Sequence, residues 1–80
     1  MRIGPRLDAS VGPPPLSRRE RQVADLVAEG LTDRAIAAQL GVSARTAESH
    51  VARILTKLGV ANRVQVATWV LRMRGAAEAA

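Results

Sequence analysis

Residues Leu31–Leu58 read LTDRAIAAQLGVSARTAESHVARILTKL, and this stretch decides the fold. Thr32 stands where an N-cap belongs, Ile36, Ala37 and Leu40 share one face of a short helix, and Gly41 ends it. Val42 follows as a buried turn residue, and Ser43 caps a second helix. Its apolar residues Ala47, Val51, Ile54, Leu55 and Leu58 fall at helical spacing, a stripe facing a core. Gly59 closes it. The predicted helices are 33–40 and 44–58, the second about 22 Å long at about 1.5 Å per residue. Two helices joined by so short a glycine turn form a helix-turn-helix, the arrangement that lays its second helix in the DNA major groove.

The flanks supply two more helices. Ser17 and Glu20 have the spacing of a capping box, Val23, Ala24, Leu26 and Val27 follow, and Gly30 closes a helix over about 18–29. Glu20 is read as a capping partner that can also pair with Arg residues on its own helix. Asn62 and Gln65 repeat the box and open a helix over about 63–74. Here Val66, Val70 and Met73 line one side, while Val64, Thr68 and Leu71 line another. A helix apolar on two sides needs a second burial partner, and a second copy of the chain is the economical one. Trp69 is expected in the core or in that interface. Residues 1–15, ending in three prolines, read as a flexible lead or linker remnant, and 76–80 as a frayed tail around a domain at 16–75. The fold class is therefore all-α, a compact four-helix bundle.

Composition narrows the function. Eighty residues allow one domain with a small core, and the single aromatic residue leaves that core to aliphatic side chains. The chain has no Cys, which excludes disulfides and Cys-ligated zinc and suits a reducing cytosol. No apolar run approaches the roughly 20 residues of a membrane span, and the N-terminus lacks a signal-peptide core. The net charge of +5 is unevenly placed. Residues 43–63 carry Arg45, Arg53, Lys57 and Arg63 against Glu48 alone, so the excess gathers on and just after the second helix of the motif. Such a stripe attracts phosphates; the competing reading is a solvated helix face.

On that helix the outward residues are Arg45, Glu48, Ser49, Ala52, Arg53 and Thr56. Small residues at 49 and 52 let the axis approach base edges, and Arg53 can reach a guanine or a phosphate. Thr32, Ser43, Thr46 and the first amides of both helices suit phosphate oxygens, with Arg34 and Lys57 flanking. No nucleophile, base or metal set converges, so neither an enzyme nor a cofactor is expected. His50 has no second ligand in register and is read as a packing residue.

Residues 16–63, LSRRERQVADLVAEGLTDRAIAAQLGVSARTAESHVARILTKLGVANR, resemble the LuxR-type (GerE-type) helix-turn-helix domain of bacterial transcription regulators. LSRRE, EGLT, LGVS, SHV and KLGV carry the likeness, which extends over about residues 16–73. The resemblance implies a four-helix domain that binds two-fold DNA sites as a dimer joined through its last helix, here Val64, Thr68 and Leu71. It implies base contacts at Glu48, Ser49 and Ala52 with Arg53 nearby, and backbone contacts at Thr32, Arg34, Ser43, Arg45, Thr46 and Lys57. RNA polymerase is an implied partner, and a cytoplasmic place at the nucleoid is expected. Two positions depart from the family: Ala47, usually larger and β-branched, and Glu48, often Lys. A carboxylate at 48 either accepts from cytosine N4 or repels phosphates. Two rival readings exist: a sigma-factor region 4-like domain, disfavoured by KLGV before a capped fourth helix, and a protein-interaction module without DNA affinity, favoured by Glu48.

Overall fold

The computed structural model describes residues 16–79 and comprises four helices: α1 Arg18–Ala28, α2 Asp33–Leu40, α3 Ala44–Leu58 and α4 Arg63–Ala79. The expected proline-rich lead at 1–15 lies outside the described residues. Each helix starts where a side chain satisfies an orphan backbone donor. The Ser17 hydroxyl accepts from the Glu20 N–H at 3.2 Å while Glu20 Oε1 accepts from the Ser17 N–H at 2.9 Å, the complete capping box. Thr32 and Ser43 accept from the N–H groups of Ala35 and Thr46. Asn62 Oδ1 accepts from the Gln65 N–H, but Gln65 reaches back to the Ala61 N–H rather than to Asn62.

The first three helices also end alike. Leu31, Val42 and Val60 each donate their N–H to a carbonyl five residues back, on Leu26, Ala37 and Leu55, with a glycine just before the donor. This is the Schellman closure. Gly41 at φ +71° makes the bend between α2 and α3. An L side chain would incur backbone strain there, which glycine avoids.

One aliphatic core joins the four helices. Val23, Ala24 and Val27 of α1, Ile36 and Ala37 of α2, Ala47, Val51 and Ile54 of α3, Val66 and Val70 of α4, and Leu16 are buried together. Val42, Leu55, Leu58 and Trp69 pack against them, half-buried. Ala47 is fully enclosed in spite of its small size. The main packing pairs are α1 with α4 and α2 with α3. Arg21 stands 5.4 Å from the Trp69 ring centroid, and Asp25 meets both Arg21 (3.2 Å) and Arg74 (3.5 Å), fastening α1 to α4.

Two expectations about α4 change. The helix does not stop at 74; it continues to Ala79. Ala76, Ala77, Glu78 and Ala79 are strong helix formers, and Gly75 alone, costing about 1 kcal/mol, does not stop the helix. Met73 does not join Val66 and Val70 in the core but is 40% exposed. Helical spacing places it on their side, yet no residue from 71 to 76 is buried, because the packed part of α4 ends at Val70.

Candidate nucleic-acid interface

The two sides of α3 have opposite fates. At 100° per residue, Ala47, Val51 and Ile54 point one way and are buried, while Arg45, Glu48, Ser49, Ala52, Arg53 and Thr56 point the other way and are exposed. Among the described residues nothing covers that outward ridge. Leu40–Ser43 is a tight corner, so α2 and α3 remain two helices. Thr32 and Arg34, at the start of α2, are exposed as well. Ser43 and Thr46 form a small hydroxyl cluster at the head of α3: the Ser43 hydroxyl donates to Thr46 Oγ1 at 2.9 Å and accepts the Thr46 N–H at 3.0 Å. Thr56 is turned back on its own helix, bonding the Ala52 carbonyl at 3.2 Å. His50 is half-buried.

The ion pairs sort the cations into two groups. Arg21, Lys57, Arg63 and Arg74 are held by carboxylates within the bundle. Among the described residues Arg34, Arg45 and Arg53 make no ion pair, and neither does Glu48. The positive charge that the fold leaves unspent beside the ridge is therefore on Arg34, Arg45 and Arg53.

Two contacts go beyond the sequence reading. Glu20 does not pair with an Arg of its own helix. Its Oε1 takes Lys57 Nζ at 2.8 Å, joining α1 to the last turn of α3, and the Glu20 side chain is only 5% exposed. The Lys57 ammonium, together with the Ser17 N–H, holds the Glu20 carboxyl down at about 2, against the opposing effect of burial. Lys57, expected to flank the groove as a backbone contact, is thus already engaged by the bundle. Arg63, given no role in the sequence reading beyond its charge, donates to Asp33 Oδ1 and to the Leu31 carbonyl, both at 2.8 Å.

Among the described residues no cluster of His, Asp and Glu converges as for a metal ion, and no helix is long and apolar enough to cross a membrane. Residues 14–70 match the family described as bacterial regulatory proteins, luxR family. The chain is 51% identical over 53 residues to the transcriptional regulatory protein UhpA of Salmonella typhimurium, covering 66% of this chain and 27% of that protein. It is 38% identical over 60 residues to the spore germination protein GerE of Bacillus subtilis, covering 75% of this chain and 81% of that protein. With the response regulator Rre1 of Synechocystis the identity is 43% over 54 residues, 68% of this chain and 23% of the relative. The chain thus spans about a quarter of the length of UhpA and Rre1, and about four fifths of GerE.

Proposed function

The chain belongs to the luxR family of bacterial regulatory proteins as a DNA-binding helix-turn-helix domain of a transcription regulator, and from that premise we propose that α3 enters the major groove of duplex DNA. The observation that carries this reading is the exposed ridge of α3, cationic and uncovered, on a helix whose other side is locked into the core. Glu48, Ser49, Ala52 and Arg53 face the base edges. Ser49 and Ala52 keep the middle of the ridge low, so the helix axis can come close, and Arg53 supplies the long donor. Arg34, Arg45, Thr46 and the capped helix starts at Thr32 and Ser43 meet phosphates. The domain acts as a symmetric dimer joined through α4, where Val64 is 70% exposed, Leu71 56% exposed and Thr68 exposed between them. Bound at a two-fold site in the cytoplasm, it recruits or blocks RNA polymerase.

Fluorescence anisotropy with labelled duplex DNA over a range of salt concentrations tests this. Each phosphate neutralised contributes about 0.9 to the fall of log affinity with log salt. Arg45→Ala or Arg53→Ala lowers affinity at unchanged helical circular dichroism, and where the removed side chain had neutralised a phosphate the slope also flattens by about that amount. A flat salt response of the parent chain refutes the reading. Glu48, exposed and without an ion pair among the described residues, favours one competing function, a protein-docking ridge; DNA affinity that is absent under all salt conditions selects it.

A further inference from the structure

Resting on that reading of α3, we propose that Glu20 and Lys57 are a positioning pair that fixes the angle of α3 for base readout, and that Lys57 is not one of the phosphate ligands. The Lys57 ammonium lies 2.8 Å from Glu20 Oε1, and the same oxygen accepts the Ser17 N–H at 2.9 Å. One atom therefore closes the first turn of α1 and grips the last turn of α3, 37 residues away in sequence. The head of α3 is set independently, by the Gly41 corner and the Ser43 cap. Gripped at both ends by different elements, the helix has its tilt defined relative to the bundle and hence to any groove it enters.

Placement and energetics agree. Lys57 projects from the flank of α3, roughly 100° round from the middle of the outward ridge. Withdrawing it towards a phosphate abandons a Glu20 carboxylate that is only 5% exposed, and an unpaired buried charge is strongly unfavourable. Arg34, Arg45 and Arg53 carry no such obligation among the described residues.

The test compares two duplexes, one selected by the parent chain from a random-sequence pool and one of mixed sequence, with the variants Glu20→Gln, Lys57→Met and both together. Gln at position 20 keeps a capping acceptor and removes only the charge. A positioning pair predicts that each single variant binds the selected duplex about three- to tenfold more weakly, that the double variant is no weaker than either single one, and that mixed-sequence affinity and the salt slope stay unchanged. Three results overturn it: a slope about 0.9 shallower in Lys57→Met, an equal loss on both duplexes, or tighter binding by Glu20→Gln through the freed lysine. If circular dichroism shows Lys57→Met to be unfolded, the direction of the Glu20→Gln change decides alone. The Arg45→Ala and Arg53→Ala slopes report separately on whether α3 docks at all, so loss of the docking reading and loss of the pair's role give different patterns.

Discussion

Helices α3 and α4 each bury one side in the same core, but their outward sides differ in kind. On α3 the uncovered surface is charged and polar, with Arg45 and Arg53 set round Ser49 and Ala52. On α4 it carries an apolar strip, with Val64 and Leu71 more than half exposed, interrupted by Thr68 and flanked by the exposed Gln65 and Arg72. Water solvates the first surface without penalty and the second at a cost that burial against another protein surface removes. The difference teaches which class of partner each helix suits: a polyanion for α3 and a protein for α4.

The sharpest way to probe the contrast is within α3 itself. Ile54→Ala, in the fully buried stripe, is expected to cost about 2–5 kcal/mol by denaturant unfolding, whereas its neighbour Arg53→Ala stays within about 0.5 kcal/mol. Similar losses at both positions would break the two-sided description. On α4, Leu71→Glu is expected to weaken self-association at least about tenfold, about 1.4 kcal/mol, in sedimentation equilibrium, with helicity unchanged. Unaltered association would remove protein pairing as the reason for the apolar side. Gly41→Ala tests the corner that presents α3. No atom stands within 4 Å of an added Cβ, so the expected loss, about 1 kcal/mol in thermal unfolding, is backbone strain alone.

A further test is one of acidity. Glu20 titrates at about 2 in the folded chain against an ordinary 4.5, so its pair with Lys57 contributes fully above pH 4.5 and is lost as the pH falls towards 2. Urea midpoints measured across that window should fall less steeply for Glu20→Gln than for the parent chain. Parallel curves would show that the pair gives α3 no pH-dependent hold.

What was legible in the sequence was local. Ser17, Thr32, Ser43 and Asn62 cap N–H groups three residues on, and the closing glycines sit beside their donors, so short spacing alone places every helix start and three of the ends. The outward ridge of α3 follows from the same periodicity. The Lys57–Glu20 and Arg63–Asp33 contacts span 37 and 30 residues and depend on how the helices approach one another, which no spacing rule encodes. Met73 failed as a core residue for a related reason. A period says which side a residue occupies, and it is silent on how far along the helix the neighbouring body extends.

The Arg63 clamp has a geometrical consequence. By gripping Asp33 and the Leu31 carbonyl, it ties the foot of α4 to the entrance of α2, two helices that do not otherwise pack on each other. In the proposed dimer, this contact would link the pairing surface on α4 to the start of the helix-turn-helix, so the spacing of two recognition helices would depend in part on it.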